Sequence, residues 1–212
     1  VSLSDFEGDK FRLLVCRSDF DVPQWTRGSV MYHIFVDRFN RGSFKAPERT
    51  DAVINPDWEN GVPQFAEYPG AFVSNNEFFG GSLDGITEKL DYLKSLGVGI
   101  IYLSPIFKAY SNHRYDTGDY SRVDEMLGGD KALDRLIKKA KKYGMRIILD
   151  GVFNHTGDDS KYFNKYGKYD SVGAYQSPAS PYRDWYYFKE DGSYDSWWGI
   201  SIMPKLNKSK LP

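Results

Sequence analysis

Only one cysteine, Cys16, occurs in the 212 residues, which excludes an internal disulfide and leaves the redox compartment open. No apolar run approaches membrane-spanning length, and Val1 leads into polar sequence with no signal-like apolar segment, so no membrane partner is expected. Charge of one sign is also missing: 28 Lys and Arg stand against 29 Asp and Glu, a net charge of −1. Such a surface gives nucleic acid no long-range attraction. The 3 histidines, His33, His113 and His155, lack the close spacing of a zinc site. There is no internal repeat or low-complexity tract. The missing initiator Met leads us to expect a piece of a longer protein, and localisation, cytoplasmic or secreted, stays unassigned.

Aromatic residues, by contrast, are abundant, at 17% of the chain. Most such rings fill cores, but a surplus on a neutral surface also suits the C–H faces of sugars. Charged residues at 27% fit a globular chain long enough for one substantial core.

Phe11–Cys16 reads as a strand, followed by a linker to Gly28. Val30–Val36 is the first clear strand of a new unit, rich in β-branched and aromatic residues. A long stretch punctuated by Gly and Pro runs from Asn40 to Gly81 and is too long for a simple connector. Leu83, Ile86, Leu90, Leu93 and Leu96 then recur at helical spacing, with Gly97 as terminator. A buried strand follows at Gly99–Leu103, then a second long loop to Gly129. Asp130 is expected to cap a helix whose Leu133, Leu136, Ile137 and Ala140 face the core. Its lysines, Lys138, Lys139, Lys141 and Lys142, suit a solvated face that completes the helix dipole.

Gly144 ends that helix, and Met145-Arg-Ile-Ile-Leu-Asp-Gly-Val-Phe-Asn-His155 begins at once. Its apolar run predicts a strand buried on both faces, ending in the carboxylate of Asp150. Polar groups at the carboxyl ends of parallel strands are where α/β folds place chemistry. The same Asp and Asn also serve to cap strands and turns. Strand-to-helix connections are long and helix-to-strand connections are a residue or two. That asymmetry predicts an α/β chain, an incomplete (β/α)8 barrel with strands 1–3 and helices 1–2.

Five stretches carry a resemblance. Tyr32-His-Ile-Phe-Val-Asp-Arg-Phe39, Phe79-Gly-Gly-Ser-Leu-Asp-Gly-Ile86, Ser111-Asn-His-Arg-Tyr-Asp-Thr-Gly-Asp-Tyr120, Asp150-Gly-Val-Phe-Asn-His155 and Met203-Pro-Lys-Leu-Asn207 occur in order, four of them at predicted strand or helix ends. Together they resemble the α-amylase family of glycoside hydrolases (family 13), in its neopullulanase, cyclomaltodextrinase and maltogenic amylase group. The resemblance runs from Trp25 to about Lys208.

It implies the end of a preceding β module and a linker at 1–24, the first three βα units at 25–154, and a small irregular domain inserted after strand 3 at 155–212. It implies a retaining hydrolase of α-glucosidic bonds in starch, maltodextrins or pullulan, working through two carboxylates. From the residues alone, Asp150 and Asp116 would be nominated as that pair. The resemblance instead implies a nucleophile and an acid/base on later strands, so this chain by itself is expected to be inactive. Asp150 then becomes a supporting carboxylate that orients an arginine beside the nucleophile, and His155 a hydrogen-bond donor to the reacting sugar. These two form the chain's share of the catalytic constellation.

Tyr115 is implied to stack on the sugar at the cleavage point, though a core tyrosine is the alternative. Asn112, His113 and Asp116 are expected to order or touch the same substrate pocket. In the inserted segment, Trp198 is expected to touch sugar, while Tyr182, Trp185, Tyr186, Tyr187 and Trp197 pack a small core. Relatives often bind calcium through an Asn-Gly-Asp run and a Gly-Gly-Asp run. Here Asn40-Arg-Gly-Ser43 and Gly80-Gly-Ser82 stand in those places, so no calcium, no other metal and no cofactor is expected. The partner that the resemblance implies is an α-glucan or maltooligosaccharide. The alternative is a non-catalytic carbohydrate-binding or partner protein that keeps the amylase fold.

Overall fold

β-Branched and aromatic side chains gather in three segments that pair as one parallel sheet. The computed structural model describes residues 15, 17–19, 21–42, 44, 46 and 50–210. In chain order its elements are β1 (Val30–Ile34), β2 (Val53–Ile54), β3 (Glu77–Phe78), α1 (Leu83–Glu88), α2 (Leu90–Ser95) and β4 (Val98–Leu103). They continue with β5 (Phe107–Ala109), β6 (Thr117–Val123), α3 (Gly129–Lys142) and β7 (Arg146–Leu149). The expected strand at Phe11–Cys16 lies outside the described residues.

The main sheet is β1-β4-β7, parallel throughout, with His33, Tyr102 and Ile148 abreast. Both crossovers carry helices, so the chain forms the open, incomplete (β/α)8 sheet that the loop asymmetry predicts. Val98, Ile101 and Leu103 of central β4 pack with Leu83, Ile86, Leu90 and Leu93 of the first helical pair and with Leu136 and Ala140 of α3. β7 departs from the expected burial on both faces: Leu149 is exposed, and Ile147 and Ile148 are half-buried. The cause is topological, because β7 pairs only with β4 and its other edge has no partner among the described residues.

The helix predicted through Leu96 is two short helices meeting at Lys89. Thr87 Oγ1 donates to the Leu83 carbonyl at 2.9 Å, a back-bond of the kind that bends helices. Leu96 falls beyond the second helix and is exposed. Ser82 caps α1, its Oγ accepting the Gly85 N–H at 3.0 Å. Asp130 is not the cap of α3: the helix starts one residue earlier, and the Asp130 carboxylate accepts the Val123 N–H at 2.9 Å. Ala132, Leu136 and Ala140 form the buried stripe of α3, which turns Ile137 to solvent against expectation. The three recur every fourth residue, and Ile137 lies beside that row.

Both long loops contain pairing that alternation did not reveal. β2 and β3 meet over two residues each, and β5 and β6 form an antiparallel hairpin with two register shifts. The segment after β7 has a separate core of Tyr162, Phe163, Ala174, Tyr186 and Leu206, with Tyr182 and Trp185 against it. Tyr187, expected in that core, is exposed. Phe163 holds the centre, with rings of Tyr186, Phe188 and Tyr194 at 4.9, 5.8 and 4.7 Å. The segment is closed by main-chain bonds from Thr156 to Pro204 at 3.2 Å and from Leu206 to Asn154 at 2.9 Å.

Candidate functional site

The carboxyl ends of β4 and β7 and the loop between β5 and β6 converge on Asp150. Its N–H continues the ladder to the Leu103 carbonyl at 3.1 Å, which fixes the residue just past the last strand pair. Its Oδ2 accepts the Tyr115 hydroxyl at 2.9 Å, and the Tyr102 hydroxyl of β4 faces the same carboxylate. Burial, then the bond to Asp150 and its charge, push the Tyr115 phenol up to about 12. The same causes raise Tyr102. Tyr115 is 38% exposed, so an aromatic face lies open beside the carboxylate that its hydroxyl holds.

The loop carrying Tyr115 is rigid for local reasons. Asp116 accepts the Ser111 N–H at 3.0 Å and also the Ser111 hydroxyl. Asn112 donates from its amide to the Glu77 carbonyl at 3.0 Å, tying the loop to β3. Arg114, only 1% exposed, adopts φ +60 and pairs through Nε with Asp124 at 2.9 Å. His113 Nδ1 accepts the Tyr115 N–H at 3.1 Å. Asp116, Asn112 and His113 therefore all brace the Tyr115 loop, and no contact of theirs requires a ligand.

His155 sits behind Tyr115. Its Nε2 meets the Tyr115 carbonyl at 3.1 Å, and its Nδ1 meets the Asn154 amide at 3.3 Å. An amide N–H into Nδ1 leaves the proton on Nε2, so the imidazole donates to the carbonyl. Burial holds the ring below the usual imidazole range, opposed by that carbonyl and by Asp116. Burial likewise lowers His113. Direct donation from His155 to a sugar would require Nε2 to leave the Tyr115 carbonyl.

On its other side His155 stacks on Trp197 at 5.2 Å, and Trp197 stacks on Trp198 at 4.5 Å with the planes 10° apart. Trp198 is 84% exposed and held at φ +52, a left-handed conformation uncommon for a bulky residue. Sequence alone singled out Tyr115, Asp150, His155 and Trp198, and these lie in one connected array. It missed Tyr102, which strand alternation relative to Ile101 and Leu103 could have marked, and it gave Trp197 first a packing role and only second a place in the cleft wall.

Among the described residues no group of three or more His, Cys, Asp or Glu side chains could hold a metal ion. The donor set around residue 41 does not fit a cation. The Arg41 guanidinium donates to the Phe79 carbonyl at 3.1 and 3.2 Å and to the Asn55 carbonyl at 3.3 Å. Those carbonyls face a fixed positive charge, which repels a second cation.

Residues 33–209 match the catalytic domain of alpha amylase. The chain is 46% identical to an amylopullulanase of Thermoanaerobacterium saccharolyticum, over 96% of this chain and 17% of that protein. It is 39% identical to an intracellular maltogenic amylase of Bacillus subtilis, over 93% of this chain and 31% of that one. The fold matches the type III pullulan hydrolase from Thermococcus kodakarensis with a TM-score of 0.70 at 33% identity, covering 88% of this chain and 34% of that chain. The chain thus spans less than a third of the length of these two curated relatives.

Proposed function

Because the chain belongs to the α-amylase family of glycoside hydrolases, in its neopullulanase- and cyclomaltodextrinase-like group, we propose that it supplies one wall of the active site of a retaining hydrolase of α-glucosidic bonds. Residues 25–154 would form the first three βα units, 155–212 the insertion after strand 3, and 1–24 a link to a preceding module. The observation that carries this function is the Tyr115–Asp150 bond at the strand ends, 2.9 Å long. It sets an open aromatic face edge-on to a carboxylate, which suits a pyranose ring whose C–H face stacks while charge develops nearby.

The residues divide the work in the following way. Tyr115 stacks on the sugar at the cleavage point. Asp150, held by Tyr115 and faced by Tyr102, turns its remaining acceptor capacity toward a cationic side chain beside the nucleophile. His155 fixes the main chain of Tyr115 and comes within reach of a sugar hydroxyl only by releasing that carbonyl. Asn112, His113 and Asp116 hold the loop at the substrate's edge, and Trp198 offers a second ring face further out. Bond cleavage would need a nucleophile and an acid/base from later strands, so the 212 residues alone would bind glucan and not hydrolyse it.

The test is reducing-sugar release from maltodextrin and pullulan by the full protein that carries this chain, beside the 212-residue chain alone. Hydrolysis by the former and none by the latter is the expected result. Glucan binding without hydrolysis by the full protein would overturn the enzymatic reading in favour of a carbohydrate-binding one.

A further inference from the structure

Residues 203–206 run between two segments of the site and bond to both. On one side the Met203 carbonyl accepts the Trp197 N–H at 3.0 Å, and the Lys205 N–H donates to the Asp195 carbonyl at 2.9 Å. On the other the Pro204 carbonyl accepts the Thr156 N–H at 3.2 Å, and the Leu206 N–H donates to the Asn154 carbonyl at 2.9 Å. Alternate residues thus bond to opposite sides, as in the middle strand of an antiparallel sheet. His155 stands opposite Lys205, and Ser196 opposite Pro204. One short segment therefore sets the register of both neighbours. In that register the rings of His155 and Trp197 stack, with 5.2 Å between centres and 27° between planes.

The restraints on the buried His155 ring are unequal. Nε2 donates to the Tyr115 carbonyl at 3.1 Å. The Asn154 amide meets Nδ1 at 3.3 Å, beyond the usual limit of about 3.2 Å. Both bonds act at the edge of the ring and resist its tilt weakly. The indole face resists tilt directly. Offset stacking tolerates a range of centre separations, so the imidazole can slide along the indole but cannot turn away without losing the contact. The indole is braced in turn, by its main-chain bond to Met203 and by Trp198, stacked on it at 4.5 Å with the planes 10° apart.

We propose that Trp197 is the positioning residue of His155. It holds the imidazole plane while Nε2 exchanges the Tyr115 carbonyl for a sugar hydroxyl, so that the donor arrives aligned. No proton leaves the ring, since Nε2–H donates before and after the exchange. This role rests on the reading of His155 given above and deepens it.

The test is a double-mutant cycle in the full protein carrying this chain: Trp197→Leu and Trp197→Phe, each with and without His155→Gln, with kcat and KM on maltoheptaose measured separately. Trp197→Leu is expected to lower kcat about tenfold with KM within about twofold, while Trp197→Phe, which keeps a ring to stack on, retains most of the rate. In the His155→Gln background the leucine is expected to cost nothing further. Equal losses in both backgrounds overturn the proposal, because an indole that only packs the segment, or that itself meets sugar, acts without His155. A loss confined to KM overturns it too. Proton NMR of the parent gives a readout that needs no variant: the indole ring current should hold a carbon-bound proton of His155 upfield with and without maltoheptaose. Its return to an ordinary position on sugar binding overturns the proposal. If the full protein binds maltoheptaose and hydrolyses nothing, the enzymatic reading fails, and the same cycle measured in Kd decides the role of Trp197. Coupling to His155 then supports it, and additive losses overturn it.

Discussion

Tyr115 donates its hydroxyl to Asp150 across 2.9 Å, so a loop between two short strands is latched to the end of β7. Removing the hydroxyl alone separates the latch from the platform. Tyr115→Phe keeps the ring and loses a hydrogen bond to a charged group, a contribution of roughly 1.5–3 kcal/mol. In the full protein this should lower kcat/KM on maltooligosaccharides by about ten- to a hundredfold. Tyr115→Ala should lose more, by the stacking of about 1 kcal/mol. Steady-state kinetics of the two variants decide it, and equal losses would remove the stacking role.

The same phenol should be visible in alkali. With Tyr115 pushed up to about 12, the folded state keeps a proton that the unfolded chain releases near pH 10. The stability this contributes is complete below pH ~10 and lost as pH rises toward ~12. Ultraviolet titration should show one late-ionising tyrosine fewer in Tyr115→Phe than in the parent.

Acid should act through the histidines. Burial lowers both His155 and His113, so the unfolded chain binds protons that the folded one refuses. Stability should be complete above pH ~6.5 and fall as pH drops below it. His155→Gln should shed its share of that slope while His113 keeps the other. Thermal unfolding from pH 5 to 8 is the measurement, and an unchanged slope in the variant would refute the assignment.

Trp198 trades backbone comfort for an exposed ring. Left-handed conformations cost a non-glycine residue about 1–3 kcal/mol. Trp198→Gly should therefore leave the unfolding midpoint unchanged or raised, while affinity for longer maltooligosaccharides falls about fivefold, on the order of 1 kcal/mol. Tryptophan fluorescence quenching by sugar in the parent, lost in the variant, would locate the contact. Phe163→Ala has the opposite profile, costing about 3–5 kcal/mol because its ring is the centre of the second core.

Calcium should do nothing around residue 41. The Arg41 guanidinium on the Phe79 and Asn55 carbonyls leads us to expect the same unfolding midpoint with added calcium and with chelator. A clear upward shift with calcium would refute this.

Strand and helix placement was legible because the barrel units carry their period in apolar residues: Ile100, Ile101 and Leu103 for β4, Leu136 and Ala140 for α3. The misplacements have local causes. The hydroxyl of Thr87 bends a helix whose spacing looked continuous, and glycines at 128 and 129 start α3 before Asp130. The β5–β6 hairpin was illegible because its register shifts erase alternation. At the site, motif residues named Tyr115, Asp150 and His155, but His155 spends both nitrogens on the protein through contacts that only folding creates. Trp197 was hidden for a similar reason, since stacking between two other rings leaves no periodic trace.

The stitches from Thr156 to Pro204 and from Leu206 to Asn154 bring the two ends of the segment after β7 side by side. A segment that departs and returns through one doorway transmits little strain to the sheet that bears it. Its length and contents can be rewritten in evolution or by design while β7 stays in register. The Trp197–Trp198 pair lies within that segment, so the ring face it presents can change with the segment without rebuilding the strands.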